Sequence, residues 1–243
     1  AGTMIRVLLA IALASLAASP AAAAGRVALL IGNANYANLS VLKNAATDAT
    51  ALAARLAGLG FAVTTVTDAD QAAMRATVAP FAEAAADAEI ALFFYGGHGV
   101  QVDGENLLIA VDASIGSADD LDGATLPLAD FLSAAAGAQA AIVLVDTSRT
   151  NPFDTAGRRR IERPQDQVAG NLFVLFSTAP GKHALDGADN SPFVAALLEH
   201  LGAPGDDISL TARKVMAGVM ERTGGEQTPF YLSTLAGELV LGR

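Results

Sequence analysis

Ala140-Ala-Ile-Val-Leu-Val-Asp-Thr-Ser148-Arg-Thr-Asn-Pro-Phe153 is the stretch that decides the fold of this chain. An apolar, β-branched run ends abruptly at Asp146, and the Asn-Pro pair at 151–152 prevents the run from continuing. This pattern predicts a buried parallel strand that carries Ser148 to the carboxyl edge of a sheet. Open α/β folds hold their sites at that edge, so Ser148 is a candidate nucleophile.

A second strand of the same kind lies upstream and ends in a histidine. Residues 90–95 read Ile-Ala-Leu-Phe-Phe-Tyr, and Gly96-Gly-His98-Gly99 follows them. The flanking glycines let the backbone turn sharply and let a substrate pass close to the imidazole. A hydroxyl or thiol nucleophile needs a base within hydrogen-bond reach and N–H donors for the oxyanion. We therefore predict a two-residue centre of His98 and Ser148, with the N–H groups of Gly99 and Ser148 as oxyanion donors. The alternative for His98 is a structural histidine in a tight turn.

Strands and helices alternate along most of the chain. Apolar runs predict strands at 26–31, 61–66, 90–95, 140–146, 171–176 and 229–232. Helical patterns predict helices at 44–59, 70–86, 127–136, 191–201 and 210–223, with Pro80 expected to kink or interrupt the second of them. Asn44 is the expected N-cap of the first helix, and Asp112 to Gly123 is expected to be an acidic loop. Asp103-Gly104 indicates a hairpin. This order predicts an α/β fold, a three-layer α/β/α sandwich with a mainly parallel central sheet.

Composition excludes several classes of function. The net charge of −10 and the low isoelectric point, about 4.6, argue against a nucleic-acid partner, which would require a basic face. No Gly-rich loop with nucleotide-binding spacing follows the first strand, so nucleotide binding is disfavoured. The absence of Cys excludes disulfides and thiolate metal sites within this chain.

The first 24 residues are expected to lie outside the folded domain. Ala1-Gly-Thr3 before Met4 has the look of a cloning remnant. Met-Ile-Arg, an apolar run over 7–18 and a small-residue stretch to Ala24 form the pattern of a secretory signal peptide. We therefore expect export to the periplasm or out of the cell, with no membrane association after signal removal. The alternative is an Ala-rich helix packed on the domain.

Several motifs along the chain point to one family. They are Arg26 to Asn33, Gly97-His98-Gly99-Val-Gln-Val-Asp-Gly-Glu-Asn106, Asp146-Thr-Ser-Arg-Thr-Asn-Pro-Phe153, Thr178-Ala-Pro-Gly181 and Asp186-Gly through Asn190-Ser-Pro-Phe193. In this order they resemble the bacterial caspase-like cysteine peptidases, the orthocaspase and metacaspase branch of the caspase family. The resemblance implies an endopeptidase domain over residues 25–243. Its large segment would be 25–153, its linker 154–170 and its small segment 171–243.

The chain departs from this family at the decisive position. The family has Asp-Ala-Cys-Arg where this sequence has Asp146-Thr-Ser148-Arg, so Ser148 stands at the place of the nucleophilic Cys. Gly96 stands where Ser is common. A Ser hydroxyl is a much weaker nucleophile than a thiolate near neutral pH, so we expect peptidase activity to be largely lost. Ser148 is either an engineered replacement or the mark of a natural pseudo-peptidase that binds basic peptides as a regulator or scaffold. A serine hydrolase using Ser148 is the third alternative.

The resemblance also implies specificity for Arg or Lys before the scissile bond. The acids of the metacaspase substrate pocket correspond to Asp48 and Asp146, and a carboxylate facing the cleft would bind a guanidinium bidentately. The alternative for Asp48 is compensation of the helix dipole, and the alternative for Asp146 is a turn cap. The expected partner is thus a peptide or protein with exposed basic residues.

Three further expectations follow from the same resemblance. The linker carries an arginine cluster that is a candidate self-cleavage segment, the alternative being a solvated charge run; its members are Arg158, Arg159, Arg160 and Arg163. Asp119 and Asp120 resemble the calcium-binding loop of some metacaspases, but the loop is short, and we expect no metal and no cofactor. We expect a monomer, as is general for metacaspase-type chains.

Overall fold

The structure is a computed structural model, and it describes residues 25–148 and 170–242. The predicted signal segment and the four linker arginines lie outside the described residues, so those expectations remain predictions. Within the described part of the chain, no helix is long and apolar enough to cross a membrane.

A six-stranded sheet forms the centre of the fold. Its strands are β1 (Arg26–Gly32), β2 (Ala62–Thr67), β3 (Ile90–Gly96), β7 (Ala140–Asp146), β8 (Leu172–Phe176) and β9 (Phe230–Ser233). Their order is β2-β1-β3-β7-β8-β9, and only the β8–β9 pair is antiparallel. Strands β3 and β7 are buried along their whole length, as the unbroken apolar runs predict. The mainly parallel sheet confirms the predicted class.

Six helices complete the described architecture, and five of them pack on the two faces of the sheet through two apolar cores. The helices are α1 (Ala45–Gly58), α2 (Gln71–Ala86), α3 (Leu121–Ala124), α4 (Leu128–Ala135), α5 (Pro192–His200) and α6 (Ile208–Arg222). One core packs α2 and α4 on the face that carries Phe93 and Val143. The other packs α1, α5 and α6 on the face that carries Leu92 and Leu144. Side chains of successive strand residues point to opposite faces, so one strand supplies both cores. The result is the three-layer sandwich.

A second, smaller sheet covers the carboxyl end of β3. It consists of β4 (Gly99–Val102), β5 (Glu105–Ile109) and β6 (Thr125–Pro127) in that order, all antiparallel. The predicted hairpin is confirmed, because Asp103 and Gly104 both adopt positive φ between β4 and β5. β4 begins one residue after His98, so this hairpin fixes the direction in which the chain leaves the histidine.

Some local predictions differ from the structure. Pro80 does not interrupt α2, which runs through it. The residue four positions earlier is the exposed Ala76, so water can satisfy the carbonyl that Pro80 leaves without a donor. Asn44 precedes α1, but its side chain makes no cap hydrogen bond. The stretch predicted as a loop from Asp112 to Gly123 contains a 3₁₀ turn and most of α3.

Candidate active site

The sheet register brings the two predicted strand ends to the same edge. Gly96, the last residue of β3, pairs with Asp146, the last residue of β7. The N–H of Gly97 then donates to the Asp146 carbonyl at 3.2 Å. His98 and Ser148 therefore each lie two residues beyond a matched pair on adjacent parallel strands. The sequence prediction placed them at one edge, and the register makes them neighbours there.

Gly97 lies where no side chain fits. A Cβ on this residue would be 2.5 Å from the Tyr95 hydroxyl and 2.7 Å from the Tyr36 hydroxyl. A Cβ on Gly99 would be 2.5 Å from Oγ1 of Thr147, the residue before the nucleophile position. Both positions must be glycine because the backbone lies too close to its neighbours for a Cβ. The histidine loop, residues 97–99, therefore packs directly against the end of β7 that leads to Ser148.

Gly97→Ala is accordingly expected to destabilise the protein by about 1–3 kcal/mol, because the two tyrosines lie in a packed interior that cannot move aside. The urea midpoint of unfolding measures this effect. Gly58→Ala is the matched control, since a Cβ there would meet nothing within 4 Å and Ala is the better helix former. Equal midpoints for the two variants would contradict the packing argument.

The ring of His98 is held by a backbone carbonyl. Its Nε2 lies 2.8 Å from the Ser40 carbonyl oxygen and 3.3 Å from the Ser40 hydroxyl. A carbonyl oxygen only accepts, so the closer contact assigns the proton to Nε2 and leaves the lone pair on Nδ1. Nδ1 is then the atom that can act as a base. Sequence reasoning missed this contact, because it uses the main chain of Ser40 and leaves no residue-type signal.

Ser148 is engaged by the loop that follows β8. Its hydroxyl accepts a hydrogen bond of 3.1 Å from the N–H of Ala184. Across residues 25–148 and 170–242, no hydrogen bond joins Ser148 to His98. A serine nucleophile needs that bond to lose its proton to the base. The Ser148 hydroxyl is therefore not activated in this arrangement.

The N–H of Gly99 is not used by the ladder between β4 and β5. The Ile109 N–H donates to the His98 carbonyl at 3.0 Å, and Gly99 pairs with Leu108 in the antiparallel ladder. Hydrogen-bonding residues alternate along such a ladder, so the Gly99 N–H points away from β5. β4 is the edge strand of its sheet, so no neighbouring strand of the described chain uses this N–H, and its role as an oxyanion donor stays a prediction.

Asp48 and Asp146 also converge, and one serine bridges them. The Ser191 hydroxyl donates to Oδ2 of Asp146 at 2.6 Å, and the Ser191 N–H lies 3.2 Å from both carboxylate oxygens of Asp48. The Asn190 amide donates to Asp48 Oδ1 at 2.7 Å. Asp48 is only 2% exposed and Asp146 only 8%. Asp48 therefore does more than compensate the dipole of α1, because its carboxylate oxygens accept hydrogen bonds from Asn190 and Ser191, just before α5.

These carboxyl groups lie in an environment that disfavours their charge. Burial raises the pKa of Asp146 to about 7, opposed by its hydrogen bond from Ser191 and reinforced by the nearby charge of Asp48. Burial likewise raises the pKa of Asp48, against the hydrogen bonds from Asn190 and Ser191. The charge of Asp186 contributes in the same direction to both. Asp186 is thus a third acid of this cluster that sequence reasoning did not single out.

Comparison with known proteins identifies the family of this chain. The profile of the caspase domain matches residues 25–240. The chain belongs to the caspase family. The crystal structure of caspase-1 from Spodoptera frugiperda is similar to this caspase-family chain, with a TM-score of 0.66 over 91% of each chain at 19% identity. No curated protein matches the chain.

The comparison with the insect caspase shows that this family member has the caspase fold. At 19% identity the likeness extends to the fold alone, so the roles of individual residues come from the geometry of the site. In the described part of this caspase-family protein, no group of three or more His, Asp or Glu side chains is arranged to hold a metal ion. The caspase-like peptidase fold expected from the sequence is thus confirmed.

Proposed function

We propose that this caspase-family chain binds protein segments through an Arg or Lys side chain, inserted next to Asp48 and Asp146, and that the Ser148 form turns them over very slowly. The observation that carries the proposal is the buried pair of carboxyl groups bridged by Ser191. The family also supports a protein ligand, because peptidases of the caspase family act on protein substrates.

The charge balance of the cluster supports a cationic ligand. None of the described Lys, Arg or His side chains forms an ion pair with Asp48, Asp146 or Asp186. Buried carboxylates in proteins are normally paired with a cation or a metal ion, because desolvation otherwise costs several kcal/mol. A substrate guanidinium would supply the missing charge and two N–H donors in a plane.

In the proposed reaction each group near the strand ends has a distinct role. Nδ1 of His98 takes the proton of the nucleophile at position 148, and the N–H groups of Gly99 and residue 148 stabilise the oxyanion. A thiol at this position would be partly ionised near neutral pH, whereas a hydroxyl requires full proton transfer as it attacks. The Ser148 hydroxyl bonded to Ala184 lacks that route. This supports an inactive form.

A non-catalytic role is the second candidate. The contact between Ala184 and Ser148 engages the nucleophile position without disturbing the acid cluster, so peptide binding and peptide cleavage are separable in this chain. A natural regulator or scaffold would retain the first and lack the second. The sequence of the native gene at codon 148 distinguishes such a protein from an engineered serine variant.

Peptide titration tests the proposed pocket on the chain as it stands. A peptide ending in Arg is expected to bind roughly ten to a hundred times more tightly than the same peptide ending in citrulline, which has the same shape without the charge. Fluorescence anisotropy measures both affinities. The preference should disappear in Asp48→Asn and remain in Asp70→Asn, a carboxylate that caps α2 away from the cluster. Equal affinities for the two peptides would overturn the proposal.

A further inference from the structure

Two buried tyrosines lie directly beneath the histidine loop. Tyr95 is in β3, and Tyr36 follows β1 in the segment that also contains Ser40. Tyr95 is fully buried and Tyr36 is only 6% exposed. Buried tyrosine hydroxyls are retained where they have hydrogen-bond partners, and the proposed reaction assigns no role to either one.

Tyr36 holds the N–H of His98. This N–H donates to the Tyr36 hydroxyl at 2.7 Å. In the antiparallel ladder the same N–H would pair with the carbonyl of Ile109, but that carbonyl instead faces the two tyrosine hydroxyls, at 3.3 Å from that of Tyr36 and 2.8 Å from that of Tyr95. The Tyr36 ring also packs against the imidazole, with ring centroids 4.6 Å apart. Tyr36 thus contacts both the main chain and the ring of His98.

Tyr95 holds the other side of the same residue. Its hydroxyl has one proton and donates it to the shorter of its two carbonyl contacts, the His98 oxygen at 2.7 Å, which also accepts from the Ile109 N–H. The two tyrosine hydroxyls are 3.4 Å apart, so they form one polar cluster under Gly97. His98 is therefore fixed at its N–H by one tyrosine and at its carbonyl by the other.

Fixing this carbonyl has a consequence for the oxyanion site. The peptide unit between His98 and Gly99 is planar and trans, so its C=O and N–H point in opposite directions. Because Tyr95 and Ile109 hold the His98 carbonyl inward, the Gly99 N–H is directed outward, into the cleft. A rotation of this peptide unit would turn the Gly99 N–H away from the oxyanion site and would displace the His98 imidazole at the same time.

We propose that Tyr36 and Tyr95 are positioning residues: Tyr36 orients the imidazole of His98, and Tyr95 orients the Gly99 N–H through the His98 carbonyl. This inference rests on the proposed roles of His98 and Gly99. It adds that one buried pair of hydroxyls fixes the orientation of both the base and the oxyanion donor, so a change in one orientation changes the other. Neither tyrosine touches the substrate.

The surroundings keep this pair neutral and in place. Burial raises the pKa of Tyr36 to about 12, and burial also raises the pKa of Tyr95 well above its ordinary value. Both hydroxyls thus stay protonated through the working range of pH. The segment that carries Tyr36 is braced by Asp68, whose carboxylate accepts from the N–H groups of Ala34 and Asn35, each at 2.8 Å, and from the Asn35 amide at 2.6 Å.

Alkylation of a thiol introduced by Ser148→Cys tests the role of Tyr36. The thiolate is stabilised by a protonated His98, so the rate with iodoacetamide should reach half of its plateau below the free-thiol pKa of about 8.5. Adding His98→Ala should move this midpoint upward. Adding Tyr36→Phe should move it part of the way and lower the rate at pH 6.5 roughly tenfold, because the His98 N–H loses its acceptor. Tyr231→Phe is the control, since that tyrosine stacks on Phe173 in the small segment.

Inhibitor affinity tests the role of Tyr95. A peptide aldehyde ending in Arg forms a tetrahedral adduct whose oxygen occupies the oxyanion site, whereas the matching peptide alcohol does not. In the Ser148→Cys background, Tyr95→Phe should lower the ratio of aldehyde to alcohol affinity about three- to tenfold and leave the alcohol unchanged. The alkylation profile should shift less in this variant than in Tyr36→Phe.

The outcomes separate this inference from the function on which it rests. If His98→Ala leaves the alkylation profile unchanged, the His98 dyad itself is wrong. If His98→Ala shifts the profile but Tyr36→Phe does not, the dyad stands and the role of Tyr36 is overturned. An unchanged aldehyde-to-alcohol ratio in Tyr95→Phe overturns the role of Tyr95. Tyr95→Phe is expected to fold, because the His98 carbonyl keeps its hydrogen bond from the Ile109 N–H. This variant therefore tests the shared role of the tyrosine pair even if Tyr36→Phe does not fold.

Discussion

Replacing Ser148 with Cys is expected to raise kcat/KM for an Arg-ending peptide substrate by at least about a thousandfold. The sheet register already places this position beside His98, and Nδ1 is the free ring nitrogen. The change therefore supplies the single missing group, a nucleophile that ionises near neutral pH. Release of a fluorophore from peptidyl-Arg and peptidyl-Asp substrates measures the gain. The Arg substrate should be preferred.

Two variants make this experiment decisive. Ser148→Ala gives the baseline without any nucleophile, and the unaltered Ser148 chain should lie close to it. His98→Ala in the Ser148→Cys background should remove most of the gain, since the base is lost. If the Ser148→Cys protein binds Arg peptides but cleaves none, the catalytic proposal is wrong and the non-catalytic regulator remains.

Binding of an Arg-ending peptide is expected to weaken about tenfold for each pH unit below 7, and to be nearly constant above it. Burial raises the pKa of Asp146 to about 7, so below that pH the free protein holds a proton that a guanidinium must displace. The other groups that face Asp146 are Asp48, whose pKa burial also raises, and Asp186. Asp146→Asn should bind roughly a hundredfold more weakly at pH 8, with a smaller dependence on pH. Anisotropy titrations between pH 5 and 9 measure both effects.

Histidine is the other residue type that titrates in this interval, so the same series on His98→Gln is the control. That variant should retain the pH dependence of the parent. A pH profile that Asp146→Asn shares with the parent would rule out Asp146 as the linked group.

The same carboxyl group should act on folding in the opposite sense to an ordinary acid. Its pKa is higher in the folded chain than in the unfolded chain, so the folded state holds the proton between about pH 4 and 7. Stability contributed by Asp146 is therefore lost as pH rises through this window, by at most about 1.4 kcal/mol per pH unit. Relative to the parent, Asp146→Asn should become more stable as pH rises to 7 and then change no further. Urea unfolding at fixed pH values measures the difference.

The sequence was sufficient to place the two strand ends side by side because its signals are local. An apolar run, a sudden polar residue and a following glycine or proline define a strand end, and β3 and β7 each show this pattern. The mainly parallel sheet followed from the alternation of such runs with helices. Asp103-Gly104 defined the hairpin through backbone conformation alone. Each of these inferences depends on residues close together in the chain.

The remaining parts of the site depend on contacts that sequence patterns do not encode. The Ser40 carbonyl that orients His98 belongs to the main chain, so residue type says nothing about it. Ser191 is readable as an N-cap because Pro192 follows it, and its hydroxyl does accept from the Val194 N–H. Its second role, donating to Asp146, arises only because α5 begins beside the end of β7. Asp186 was likewise not predicted, because only the folded chain brings it near Asp48 and Asp146.

Asn44 illustrates how a correct local reading can miss the use of a side chain. The residue precedes α1, as a capping asparagine would. Its side-chain Nδ2 instead donates to the Asp189 carbonyl at 2.9 Å, and its side-chain Oδ1 accepts from the Gly187 N–H at 2.8 Å. The long-range partner displaced the local one, so α1 is attached to the loop that precedes α5.

The pairing of β7 with β8 determines what a nick in the chain would do. These strands precede and follow residues 149–169, and they are adjacent and parallel in the middle of the sheet, from Ala141 beside Leu172 to Val145 beside Phe176. Asn44 and Asp48 bind the small segment from the opposite side. Hydrolysis between 149 and 169 would therefore yield two polypeptides that remain one particle. They would migrate as separate bands under denaturing electrophoresis and as a single peak in gel filtration.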